Sequence, residues 1–151
     1  MSPTIATNKK GLFDHQIIEK FEAGIALTGP EVKSVKAGQT NLKGSYISID
    51  NQSQAWLVGA HISPYKPSAA IQTKYIPTRD RKLLLNKKEI DYLRGKEKEK
   101  GLTILPISVY TKGSLIKIGI GLVKGKKQRD KREIIKKREL DREIRRKIRQ
   151  K

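Results

Sequence analysis

The stretch GIGLVKGKKQRDKR at 119–132 combines glycine and lysine, the residue types with which a loop cradles phosphate. A phosphate loop needs four residues between its two glycines and a Ser or Thr directly after the lysine. A dinucleotide loop needs glycine where this chain has Lys124, and a helix following a βα turn. Both spacings fail. Gly119 and Gly121 therefore read as strand bends or points of close approach, and the lysines as cations for a polyanion. His15 and His61 stand far apart without ligand spacing, so packing or surface roles account for them better than a metal does. The acids lie scattered among lysines rather than clustered as a metal-dependent nuclease requires. No serine stands beside a base in a pattern that supports nucleophilic catalysis. With no cysteine, disulfides and thiolate metal sites are excluded. A protein without catalysis, metal or cofactor is expected.

Charge points the other way, toward binding. The 151 residues carry 34 Lys+Arg against 15 Asp+Glu, a net of +19. Residues 124–151 hold 15 of the basic and 5 of the acidic side chains, a net of +10. Such an excess repels itself in the compact state and is offset by a polyanionic partner. The longest unbroken apolar run is AWLV at 55–58, far short of a membrane span, and MSPTIATNKK has no apolar stretch behind a basic start. No membrane association is expected, and a cytoplasmic nucleic-acid binder is.

The cations fall into clusters: Asn8–Lys9–Lys10, Lys33 with Lys36, and Arg79, Arg81 and Lys82. Any one of them suits a solvated face, but together they could neutralise phosphates on one surface by releasing counterions. Tyr46, Trp56, Tyr65 and Tyr75 are candidates to stack on unpaired bases, although Trp56 within AWLV suits a core better. Glu22 and Glu31 are the odd members of a basic chain. A carboxylate facing RNA repels phosphate unless it accepts hydrogen bonds from base N–H groups. Glu22 is therefore a candidate base reader, with an internal ion pair as the alternative. Glu31 suits a helix N-terminus.

The elements that must position these residues follow from periodicity. Residues 1–10 are polar and expected to be mobile as far as NKK. HQIIEKFEAGIAL at 15–27 favours a strand. Thr28, Pro30, Glu31 and Gly38 delimit a short helix. SYISI at 45–49 and AWLVGAHI at 55–62 predict a hairpin around DNQSQ, and 63–80 reads as loop. Asn86 with Glu89 suggests a capping box for a second helix. LTILPISVY and SLIKIGIGLV form the last hairpin, with a bulge or two-sided burial near Gly119 or Gly121. The expected fold is mainly β with short α: a closed antiparallel barrel of the oligonucleotide-binding type with two or three short helices. The expected organisation is a body over 1–123 and a basic tail over 124–151. In the tail Ile134, Leu140, Ile144 and Ile148 share one narrow arc of a helix. So thin a stripe buries little, which predicts a tail frayed when free and helical on RNA.

NKK at 8–10, FEAGIALTGPEVKS at 21–34, NLKGSY at 41–46, HISPY at 61–65, PTRDRKLLLN at 77–86 and GLVKGKKQRDKR at 121–132 together resemble the small protein B family. These are the SsrA-binding proteins of bacterial trans-translation, and the resemblance runs from about residue 8 to the C-terminus. It implies an oligonucleotide-binding barrel that holds the tRNA-like domain of transfer-messenger RNA. It further implies delivery to stalled ribosomes in company with elongation factor Tu, and a tail that becomes a helix in the empty mRNA channel near the decoding centre. By that resemblance Asn8, Glu22 and Leu84 belong to the RNA-binding surface alongside Lys9, Lys10, Lys33, Arg79, Arg81 and Lys82. Gly125, Lys126, Lys127, Arg129, Asp130, Lys131 and Arg132 belong to the ribosome-binding tail. Arg129 departs from the aromatic or histidine of many relatives, though a guanidinium also stacks. A monomer is expected. A structural ribosomal protein and an RNA-processing enzyme are the competing readings, separable by sedimentation with ribosomal subunits and by RNA turnover.

Overall fold

The computed structural model describes residues 4–65, 74–126 and 136–144. Among them, β-branched and aromatic runs form strands β1 (Thr4–Thr7), β2 (His15–Ile25), β3 (Thr40–Asn41), β4 (Tyr46–Ile49), β5 (Ala55–Val58), β6 (His61–Ile62), β7 (Arg81–Leu84), β8 (Leu102–Lys112) and β9 (Leu115–Gly125). Short helices α1 (Lys9–Asp14), α2 (Gly29–Lys36) and α3 (Lys87–Glu97) lie between them. Seven strands make one antiparallel sheet in the order β1-β8-β9-β2-β7-β5-β4, and β3 pairs with β6 apart from it. The sheet curls far enough to bring β4 against β8. Its hydrogen-bonded order is nonetheless linear, with β1 and β4 as its ends, so the ladders do not close the expected barrel.

One face of the sheet is the core. Ala23, Leu57, Leu83, Ile118, Ile120 and Leu122 are all buried there, joined by Leu93 of α3. Each large aliphatic side chain so placed contributes about 1.5–3 kcal/mol. The helix starts follow the sequence closely. Thr28 Oγ1 accepts the Glu31 N–H at 3.3 Å and Glu31 Oε1 accepts the Thr28 N–H at 3.0 Å, a complete capping box with Pro30 in the first turn. Asn86 Oδ1 accepts the Glu89 N–H at 2.8 Å, but no bond returns from the Glu89 carboxylate, so that box is half made.

Three expectations are corrected. Residues 4–7 form a strand on β8, with Asn8 N–H donating to Ile107 O at 2.8 Å. Helix α1 follows directly, unforeseen because it has six residues and includes Gly11. The run at 55–62 is two strands, not one: Gly59 turns the chain at φ +81 and sends β6 to a different partner. The bulge expected near Gly119 is present: it sits on β8, where the register shifts between Pro106 and Ser108 opposite Ile120 and Gly119. Burial on both faces accompanies it, from Ile120 to Val123.

Glu31 does far more than complement a helix end. It is 1% exposed and accepts from Arg81 Nε at 2.9 Å and Nη2 at 2.8 Å. Arg79 Nε donates to it at 3.1 Å, and Arg79 Nη2 pairs with the other oxygen. Arg81, 0% exposed, also donates to Ala60 O, Pro77 O and Tyr75 Oη. Helix α2, strand β7 and the loop before it are thus bolted together by one buried carboxylate.

Candidate nucleic-acid interface

Side chains alternate across a strand, so the face opposite the core is read directly from the register. On β2 it carries Lys20, Glu22 and Gly24; on β7, Lys82 and Leu84; on β9, Lys117, Gly119 and Gly121; on β8, Ser108, Tyr110 and Lys112. Gly24 lies directly opposite Leu84, whose Cβ is 3.2 Å from where a Cβ on Gly24 would stand. Leu84 is thereby turned to solvent, 57% exposed, in line with Glu22 on the same face.

Glu22 is held from across the sheet. Tyr110 Oη donates to its Oε2, and Lys112 Nζ lies 3.2 Å from Oε1. The Tyr110 hydrogen bond and then that of Lys112 lower its pKa below the usual carboxylate value, so the group stays an anion. Burial, then the Glu22 carboxylate, pushes Tyr110 up to about 12, so it remains a donor. The internal ion pair and the base-reading role are compatible. Each carboxylate oxygen takes one bond from β8 and keeps lone pairs for another partner. Lys112 and Lys117 act on this anion with positive charge, and Lys20 lies two residues along the same strand face.

The other expected RNA contacts divide. Asn8 is 4% exposed; its Nδ2 donates to Pro106 O at 2.9 Å and its Oδ1 accepts the Gly11 N–H at 3.1 Å. It positions α1, and through it the exposed Lys9 and Lys10, rather than offering its own amide. Arg81 is corrected outright: a guanidinium with no exposed surface and five protein bonds has none to give an RNA. Arg79 is committed to Glu31, and Lys33 lies over the Tyr65 ring at 5.5 Å on another part of the surface. Tyr75 is a partner of the buried carboxylate, not a free stacking platform. Trp56, expected in the core, is half-buried and donates to Asp50 Oδ2 at 2.9 Å.

A second basic surface lies where the tail leaves. The β2–β9 ladder runs out to His15 and Gly125, and Lys126 N–H donates to Asp14 O at 3.0 Å. Lys9, Lys10, Lys126 and Arg138 line a hollow with Leu12, Phe13 and Asp14. Lys126 Nζ is 6.0 Å and Arg138 Cζ 5.4 Å from the Phe13 ring centre. Helical backbone spans 136–144 with every residue exposed, Leu140 and Ile144 included. Lys127, Arg129, Asp130, Lys131 and Arg132 lie outside the described residues, as do Ile134 and Ile148.

Lys20, Lys117, Tyr110 and Phe13 were not singled out from sequence. The alternation of EKFEAG already puts Lys20 beside Glu22, but Tyr110 and Lys112 reach it only through pairing across about 90 residues. Removing Lys20, Lys82 or Lys117 as alanine should each lower the slope of log affinity against log salt by about 0.7–0.9, one phosphate contact per lysine. Fluorescence anisotropy on a structured RNA across a salt series measures it, and an unchanged slope would remove that lysine from the interface.

The family model described as SmpB protein matches residues 5–150. The chain is 53% identical over 140 residues to an SsrA-binding protein of a Sulfurihydrogenibium species, covering 93% of this chain and 90% of that one. It is 48% identical over 149 residues to the SsrA-binding protein of Carboxydothermus hydrogenoformans, covering 99% and 98%. Among solved structures it is similar, at 38% identity and a TM-score of 0.65, to a chain of the assembly described as "tmRNA-SmpB: a journey to the center of the bacterial ribosome", over 82% of this chain and 85% of that one.

Proposed function

Because the chain belongs to the SmpB protein family, we propose that it is a non-catalytic adaptor of trans-translation that binds transfer-messenger RNA and brings it to stalled ribosomes. The observation that carries this reading is the outer sheet face. Glu22 and Leu84, distant in sequence, share that face on neighbouring strands, with Lys112 and Lys117 beside Glu22. That surface suits the tRNA-like domain: lysines take the phosphates while Glu22 and Leu84 meet bases. Lys9 and Lys10, set by Asn8, extend the contact at the edge of β8.

The body, 1–123, holds transfer-messenger RNA, and the tail, 124–151, enters the empty mRNA channel near the decoding centre. The described helix at 136–144 supports a helical tail, and its exposed apolar stripe supports a partner that covers it on the ribosome. The curled sheet, with β4 against β8, supports an oligonucleotide-binding barrel. The protein acts as a monomer in the cytoplasm, with elongation factor Tu joining the delivery complex. No helix among the described residues is long and apolar enough to cross a membrane.

Crosslinking the purified protein to total cellular RNA and sequencing what it holds is the direct test. Transfer-messenger RNA should be enriched far above its cellular share, with crosslinks concentrated in the tRNA-like domain. Recovery of ribosomal RNA alone, in proportion to subunits, would instead make the protein a structural component of the ribosome.

A further inference from the structure

Beside Glu22 the outer face is hollowed. Lys20, Glu22, Ile107, Ser108, Tyr110 and Gly119 are among the residues that line an open depression of about 380 Å³. The hollow exists because β9 places no side chains in it. Glu22, Gly119 and Ser108 are directly opposed across three neighbouring strands. With strands about 4.8 Å apart, the backbones that carry Glu22 and Ser108 stand on either side of the bare β9 backbone, two spacings or about 10 Å apart. Gly121, next on that face, is covered by Ile107, whose Cδ1 lies 2.6 Å from where a Cβ would be. The bulge at Ile107 is what swings this side chain over the strand. The Tyr110 ring, 3.5 Å from a Cβ position on Gly119, forms the wall toward Lys117.

We propose that this depression is the pocket for one unpaired nucleobase, of the kind that carries an exocyclic amino group. The inference rests on the RNA-binding reading above and adds a site to it. The chemistry is that of base recognition. The Tyr110 ring and the Ile107 side chain bound a slot of nucleobase size, and Tyr110 and Lys112 hold the Glu22 carboxylate with lone pairs still to fill. The Ser108 hydroxyl, without a hydrogen-bond partner among the described residues, supplies a second polar handle. Lys20 on the rim is placed for the phosphate of the same nucleotide. A uracil presents a carbonyl in place of the amino group and only its N3–H as a donor, and should bind there more weakly.

Two variants separate the parts. Gly119→Ala fills the floor at 3.3 Å from Ser108 Oγ without demanding a left-handed backbone. Tyr110→Phe keeps the wall but releases the carboxylate. The tRNA-like fragment of transfer-messenger RNA, made as a set with single abasic nucleotides in its loops, is titrated against each protein, and melting curves confirm folding. For the unaltered protein, one abasic position should weaken binding about tenfold to a hundredfold. Gly119→Ala should bind the intact fragment more weakly by a similar factor and be indifferent to that position. Tyr110→Phe should retain the abasic effect but accept uridine there. If no loop position matters to the unaltered protein, or if the same position matters equally to Gly119→Ala, the pocket is empty and the proposal is wrong. Should Gly119→Ala fail to fold, Tyr110→Phe still decides, since unchanged discrimination against uridine would overturn it. Failure of the RNA-binding reading looks different: the unaltered protein would bind the intact fragment no better than unrelated RNA.

Discussion

A chain cut after Lys126 is expected to hold transfer-messenger RNA yet add no tag to nascent peptides on stalled ribosomes. The cut must fall there and not earlier. Strand β9 pairs with β2 out to Gly125, and the Lys126 N–H closes on Asp14 O, so a cut at 124 would unravel the sheet edge. The residues removed add positive charge, and the described ones among them, 136–144, include none that line the hollow beside Glu22. Their contribution to RNA affinity should therefore be counterion release, about tenfold at low salt and vanishing as salt rises. Tagging, read on ribosomes stalled on a message without a stop codon, should fall to background. If instead the cut protein loses affinity at high salt as badly as Glu22→Ala or Leu84→Ala, body and tail are not separate binding elements.

Removing the Glu31 carboxylate should be the most damaging single change to stability. Glu31→Ala leaves the Arg81 guanidinium, 0% exposed, without its anion. Breaking a buried pair by deleting one partner costs about 3–5 kcal/mol, which for a domain of this size lowers Tm by about 10 °C or more. Losing the hydrogen bond that the Thr28 N–H donates to this carboxylate adds about 1 kcal/mol. Arg79→Ala should cost much less, since Arg79 is 35% exposed on its side chain and Arg81 still neutralises the carboxylate. Thermal and urea unfolding would rank them, and a Glu31→Ala Tm within a few degrees of the unaltered protein would refute the account.

The same group sets the acid limit. Burial raises the Glu31 pKa, but the Arg79 hydrogen bond, the Thr28 N–H and the Arg81 pair outweigh it and hold the group at about 2, against 4.5 when unfolded. A carboxylate depressed on folding stabilises fully above its unfolded pKa and loses that contribution as pH falls through its folded value. Stability should decline between pH 4.5 and about 2, and Glu31→Ala should flatten that decline.

How much of this was legible in the chain depends on the range over which each residue acts. The start of α2 is local, and Thr28, Pro30 and Glu31 announce it. Asn86 likewise announces α3. The role of Glu31 is not local, because its guanidinium partners come from about 50 residues on. A signal for Arg81 did exist: on β7 it shares the parity of Leu83, which faces inward, while Lys82 and Leu84 alternate out. Reading RDRK as a charge cluster, instead of as the start of a strand, hid it. The outer face was partly visible in Lys20 and Glu22. Its far half was not, because bulges at Ile18 and Ile107 each displace the register by one residue. Helix α1 escaped because its stability comes from Asn8 clasping β8, a contact 98 residues long in sequence.

That clasp sets the aim of a lever. The chain beyond Lys126 departs from a point tied to Asp14, the last residue of α1, and α1 takes its orientation from Asn8. In the proposed bound helix the 25 residues after Lys126 would reach about 38 Å from that pivot, and a tilt of about 10° there would swing the tip by about 7 Å. In that proposed bound state the direction taken by the chain beyond Lys126 would be set from near the other end of the polypeptide, by one buried asparagine.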